Sequence, residues 1–140
     1  MRWIPLCALL LLSGCQNDCD HARDQAGDAW ATYVKRVRAQ ESALLEEAAA
    51  AARVERKLLE AGRKRGHRAL SEARRTRTSN RNKARQLARW GNDADKIAGL
   101  VRRGWWGGAI PDGKKLMKKD ASAGIPHRAT EAALEACKPQ

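Results

Sequence analysis

The chain has 140 residues, with 28 Lys and Arg against 16 Asp and Glu and a formal net charge of +12. That length allows one domain at most, and nothing beyond the first dozen residues is apolar over the roughly 20 positions that a membrane-spanning helix needs. There is no Phe and one Tyr, and the 43% hydrophobic content leans on Ala, which excludes a deep globular core and favours helices joined along Ala-rich seams.

The chain opens "MRWIPLCALLLLSGC": Arg2, an apolar stretch from Ile4 to Leu12, then the small residues Ser13 and Gly14. Positive charge, apolar core and small residues in that order are the layout of a secretory signal. Its last four residues, Leu12-Ser13-Gly14-Cys15, resemble the lipobox of bacterial lipoprotein precursors. The resemblance implies that residues 1–14 are a signal peptide cut before Cys15, and that the Cys15 thiol carries diacylglycerol. The new amino group is often acylated as well. Residues 15–140 are then a single mature domain, held at the membrane by its N-terminal lipid and facing the periplasm. Gln16 in place of Asp implies the outer rather than the inner membrane where the enterobacterial sorting rule applies. Each buried acyl CH₂ contributes about 0.8 kcal/mol, so two or three chains anchor firmly. A misassigned start codon ahead of a cytosolic chain is the alternative.

On the lipoprotein reading Cys7 leaves with the signal and Cys15 is lipidated, so Cys19 and Cys137 are the remaining thiols. A single intramolecular disulfide between them is expected in an oxidising envelope; two free thiols or an intermolecular bridge are the alternatives.

From Asp20 to Ala61 the apolar residues Trp30, Val34, Val37, Leu44, Ala48, Ala51 and Leu58 recur at helical steps, with Glu41 and Glu55 interrupting the stripe. The run is rich in strong helix formers and lacks Pro, so one long helix is predicted, its early aspartates Asp18, Asp20, Asp24 and Asp28 suiting the helix dipole. "GRKRG", with Gly62 and Gly66, reads as a hinge. Asn80 and Asn82 in "TSNRN" then suggest a helix end and a new cap, and a short helix is predicted from Asn92 or Asp93 to a stop at Gly104, with Ile97, Leu100 and Val101 inward. "WWGGAIPDG" reads as a turn-rich loop, and a last helix is expected from His127 or Arg128 to Cys137. The fold class is therefore all-α: a long first helix with shorter helices folding back as a helical hairpin or small irregular bundle, Cys19 meeting Cys137 at its base.

Charge is concentrated in a basic middle segment, 53–119. Residues 53–85 carry a net +10 and 86–119 a net +5, whereas 15–52 and 120–140 are net acidic. Arg77, Arg81, Arg85 and Arg89 recur every four residues and would form one ridge on a continuous helix. Guanidinium groups match phosphate oxygens bidentately, so these four are candidate anion-binding residues. The partners this suggests are the membrane, anionic envelope polymers or lipids, and, through the helical seam, another envelope protein; nucleic acid is a partner only on the cytosolic alternative. A plainly solvated helical face is the simpler reading of the same charges.

No nucleophile motif, phosphate-binding Gly loop or paired metal signature is present, and neither an enzyme, a cofactor nor a metal is expected. "DCDHARD" brings together ligand types, with His21 and Asp24 on one face, but has no second cluster to complete a site. His67 and His127 have no partner that the sequence identifies. Trp105 and Trp106 are adjacent between glycines and cannot both face one core, so one of them is expected at the surface, whereas Trp30 and Trp90 read as core-facing.

Overall fold

A computed structural model describes residues 7–64 and 66–139, with side chains from residue 17 onward. The side chains of Leu12-Ser13-Gly14-Cys15, the stretch that resembles a lipobox, therefore lie outside the described set, as do residues 1–6 altogether. The elements are α1 (Cys7–Glu60), α2 (Arg68–Arg102), α3 (Trp106–Lys119), a short 3₁₀ turn (Ala121–Ala123) and α4 (Gly124–Ala136), with no strand among the described residues. None of these helices is long and apolar enough to cross a membrane among the described residues. The fold is all-α, with a long first helix.

Four expectations about element boundaries change. First, α1 begins before Asp20 and has no acidic residue in its first turn. Its early aspartates meet side chains instead: Asp20 pairs with Arg23, and Asp28 with Arg102 at 3.2 Å.

Second, α2 runs unbroken through "TSNRN" and through Gly91-Asn92. Asparagine is a weak helix former because its amide competes for nearby backbone. Here the Asn80 amide is engaged elsewhere, donating to Glu47 Oε2 at 2.8 Å, and Asn92 accepts from Arg38.

Third, "WGGAIPDG" is the start of α3 and not a loop. Pro111 lacks the N–H that would reach the Gly107 carbonyl, yet Ala109, Gly113 and Leu116 on the same helix are buried, and that packing outweighs one missing bond. Fourth, α4 starts at Gly124, so Pro126 falls in its first turn, where the missing N–H costs nothing.

The helix ends predicted from glycine occur where expected. Gly62 and Gly104 have φ of 76° and 70°. After each, the next residue's N–H reaches back five residues, Arg63 to Leu58 and Trp105 to Leu100, while the glycine N–H reaches back three, closing Schellman motifs.

The described residues fall into two compact units, one within Met1–Val34 and Asp93–Gln140, the other within Lys35–Asn92. The first, the disulfide unit, has a bridge between Cys19 and Cys137, with their Cα atoms 4.7 Å apart. Its centre is Trp30, with no exposed surface. The indole N–H donates to Thr130 Oγ1 at 2.8 Å, and the Thr130 hydroxyl donates to the Pro126 carbonyl at 2.9 Å, so the buried polar atoms of this pair are satisfied. Tyr33 meets the indole edge-on at 5.8 Å, and its hydroxyl donates to Asp120 Oδ2 at 2.8 Å. Ile97, Val101, Leu116 and Ala133 complete the core. Removing an indole of this size from water contributes on the order of 4–6 kcal/mol.

Gly113 lies against this centre: a Cβ there would fall 2.7 Å from His127 Nδ1 and 3.3 Å from Trp30 Cζ2. Gly113→Ala is expected to destabilise the fold by about 1–3 kcal/mol through overpacking, visible as a lower urea midpoint with an unchanged slope. Cys137→Ser opens a bridge spanning 118 residues; a loss of about 4–5 kcal/mol is expected from the chain-entropy relation, and the same denaturation curve measures it.

Candidate functional site

The second unit, Lys35–Asn92, is a helical hairpin. Its cross-helix contacts run in opposite senses along the two helices: Glu55 meets Arg74 and Arg77, Glu47 meets Asn80, and Arg38 meets Asn92. Between the helices lie Val37, Ala48, Leu70, Ala73 and Ala84, all buried. Small side chains let two helices approach closely but contribute little apolar area each, so polar contacts supplement the seam.

Glu55, one of the two acidic interruptions of the apolar stripe, is the main such contact. It is 7% exposed and sits on the seam, not beside it. Arg74 Nε donates to Oε1 at 2.7 Å, and Arg77 Nη1 lies 2.7 Å from Oε2 as an ion pair outside hydrogen-bonding angles. Two guanidinium groups thus flank one buried carboxylate, a distribution of charge that compensates its desolvation. Glu41, the other interruption, pairs with Arg38 at 3.0 Å.

This corrects the four-arginine ridge. Arg77 is committed to Glu55 and is only a third exposed, so the free row is Arg81, Arg85 and Arg89. All three are exposed, and none has a carboxylate within ion-pair distance among the described residues. Spaced at i, i+4 and i+8 on continuous α2, they cover about 12 Å of helix. The hairpin sequence holds seventeen Lys and Arg against six Glu and no Asp, a net +11, so nearly all of the chain's excess charge belongs to this unit.

A second feature was not read from the sequence. Between α1 and α2 lies an open groove of about 450 Å³, formed by Gln40 and Leu44 on one side and Lys83, Gln86, Leu87 and Trp90 on the other. Trp90, expected in the core, is instead half-buried in the groove wall, as are Leu44 and Leu87. The signal was present: Leu87 and Trp90 are the only large apolar residues between Leu70 and Ile97, and the Ala-rich helix opposite them cannot cover both.

The remaining candidates lie in the disulfide unit. Trp105 is 65% exposed, with the Arg103 guanidinium 5.4 Å from its ring centre, while Trp106 is half-buried at the start of α3. Of the "DCDHARD" cluster, Cys19 is in the disulfide, Asp20 pairs with Arg23, and His21 Nε2 lies 2.9 Å from the Gln25 amide. No group of three or more His, Cys, Asp and Glu able to hold a metal occurs among the described residues. His127 is buried against Gly113, its Nε2 3.4 Å from Glu131 and its Nδ1 without a hydrogen-bond partner. A smaller cavity of about 170 Å³ is lined by Lys96, Lys115 and Lys119 with Asp93 and Asp112, and there each lysine already faces an aspartate.

No protein-family model, curated protein or solved structure matches the chain.

The arrangement at Glu55 has a measurable consequence. Glu55→Gln removes the charge that holds Arg74 and Arg77, and is expected to destabilise the protein by about 1–3 kcal/mol, since both arginines are partly solvated. The same change releases two cations onto the hairpin. Retention on an immobilised polyphosphate should therefore shift to higher salt even as the urea midpoint falls.

Proposed function

We propose that this chain is a non-enzymatic lipoprotein of the bacterial cell envelope, anchored by lipid on Cys15, whose hairpin unit binds envelope anions. Lipopolysaccharide phosphates, anionic lipid headgroups and teichoic acids are the polymers and surfaces of the right chemistry. The observation that carries the reading is the net +11 of the hairpin, with Arg81, Arg85 and Arg89 exposed and unpaired among the described residues. Like charges four residues apart disfavour a helix by a few tenths of a kcal/mol per pair, a cost that turns into attraction when phosphate oxygens sit between them. Exposed Trp105 beside Arg103 supports the membrane part of the reading, because an amphipathic indole next to a cation suits the headgroup level of a bilayer. The resemblance of Leu12-Ser13-Gly14-Cys15 to a lipobox supports envelope anions over nucleic acid as the polyanion encountered.

Two measurements test it. Intact mass of the protein recovered from membranes should show a chain beginning at Cys15 and carrying acyl mass; a chain retaining Met1, or an unacylated Cys15, rejects the anchor. Co-sedimentation with lipopolysaccharide-containing vesicles should weaken steeply from 50 to about 500 mM salt, as screening by small ions requires. The triple change Arg81→Gln, Arg85→Gln, Arg89→Gln should lower affinity several-fold and flatten that salt dependence. Binding indifferent to salt and to these three residues rejects the anion surface.

A further inference from the structure

The hairpin unit also exposes Leu45, Val54 and Leu59, and its groove is set apart by three large apolar side chains lining one shared space. Leu44, Leu87 and Trp90 are large apolar side chains left half-exposed in a unit whose seam is otherwise closed mainly by alanine. Its volume, about 450 Å³, falls within the range of small-molecule sites, roughly 300–1,000 Å³. The polar groups on its walls are the Gln40 and Gln86 amides and a single cation, Lys83, with no carboxylate. Lys83 is exposed and has no acidic partner among the described residues, in a unit of net +11.

The charge and the apolar floor are set at different places along α2. Lys83 and Trp90 are seven residues apart, or about 10 Å of helix. A ligand filling both needs a negative head near Lys83 and an apolar body running towards Trp90. The α1 wall is a single turn, Gln40 to Leu44, about 6 Å long. That suits one flexible hydrocarbon chain better than a partner helix, whose anchors at i, i+4 and i+7 extend over about 10 Å on each side.

From this we infer that the groove is a binding site for a single-chain anionic lipid, a long-chain fatty acid being the simplest member. Its carboxylate is held by Lys83, its chain lies on Leu44 and Leu87, and Trp90 covers the part of the chain about 10 Å from the carboxylate. The site uses none of Arg81, Arg85 and Arg89 and does not involve Cys15, so it stands or falls separately from the polyanion surface and from the lipid anchor.

Trp90 supplies its own reporter. The probe is dibromostearate, added below its micellar concentration to the mature full-length protein, with the Trp90→Phe variant defining the Trp90 share of the emission. Saturable quenching of that share is the expected result. Leu44→Gln and Leu87→Gln, both at partly exposed positions and checked for retained helicity by circular dichroism, should weaken it roughly tenfold, the scale of lost apolar contact in a ligand pocket. Lys83→Gln should weaken it several-fold, and stearyl alcohol should compete less well than stearate. The triple Arg→Gln protein described above should still show saturable quenching, with a smaller loss of affinity than Leu44→Gln or Leu87→Gln. Absent quenching of Trp90, or quenching equal in the Leu44 and Leu87 variants, overturns the site. So does displacement of the probe by an acidic amphipathic peptide that binds more tightly than stearate, which assigns the groove to a partner helix.

Discussion

Trp30 is the side chain on which the disulfide unit depends. A chain with no Phe has few ways to fill the space where several helices converge, and an indole occupies the most volume per residue placed there. Burying it brings a polar N–H into the core, and the Thr130 hydroxyl receives that hydrogen while passing its own to the Pro126 carbonyl. The Pro126 carbonyl lies four residues before Thr130 in α4, so the hydroxyl shares a carbonyl of its own helix, the usual back-bond of a threonine inside a helix. Gly113 exists at the size it does because Trp30 and His127 leave no room for a Cβ. Tyr33, one turn along α1, then carries the same polar-tip logic outward to Asp120, whose other oxygen receives the Ser122 N–H and starts the 3₁₀ turn into α4. From one buried aromatic, the path of the chain between α3 and α4 follows.

The hairpin unit is built on the opposite principle. Its buried side chains are mostly small, so the apolar term per residue is low and helix propensity carries a larger share of its stability. Ala, Leu, Glu, Arg and Lys are all strong helix formers, which is why a segment this charged still holds two regular helices. What the seam lacks in apolar contact it replaces with hydrogen-bonded charge: Glu55 between Arg74 and Arg77, and Glu47 with Asn80. These contacts specify how the helices are matched along their length more sharply than alanines can, since an alanine looks much the same to any alanine opposite.

How far the sequence can be read follows from these two modes of construction. The all-α class, a long first helix and the stops at Gly62 and Gly104 are local properties: helical spacing of Trp30, Val37, Leu44 and Ala48, and glycine's access to positive φ. The Cys19–Cys137 pairing was expected on the lipoprotein reading, which leaves those two thiols to pair, and the structure joins them. Two of the errors inside the helices came where a local signal was overruled by a distant partner. Asn80 breaks a helix only if its amide turns back on its own backbone, and here Glu47, thirty-three positions away, takes it. "WGGAIPDG" has the composition of a loop, but the burial of Ala109, Gly113 and Leu116 supplies what its glycines and proline withhold. In the candidate site the row of arginines was legible as a spacing, while the loss of Arg77 to a buried Glu55 was not, because a glutamate on an apolar stripe gives no sign of which cation faces it. The groove was least legible of all, since a half-exposed Trp90 and a buried one have the same spacing.

The separation of charge from packing has a thermodynamic consequence for the hairpin. Repulsion among its seventeen cations opposes compactness, and only six glutamates offset it within the unit. A unit with a large apolar core would absorb that repulsion with little change in stability; one closed by alanines and a few ion pairs has less in reserve. Anything that binds the folded hairpin through those cations removes repulsion and adds binding free energy together, and its effect on stability grows as the logarithm of its concentration over its dissociation constant. The disulfide unit, with eleven basic and ten acidic residues, has no such dependence on counter-charge. Stability that responds to polyanions should therefore reside in residues 35–92, while residues cross-linked by Cys19 and Cys137 keep their packing whatever ions surround them.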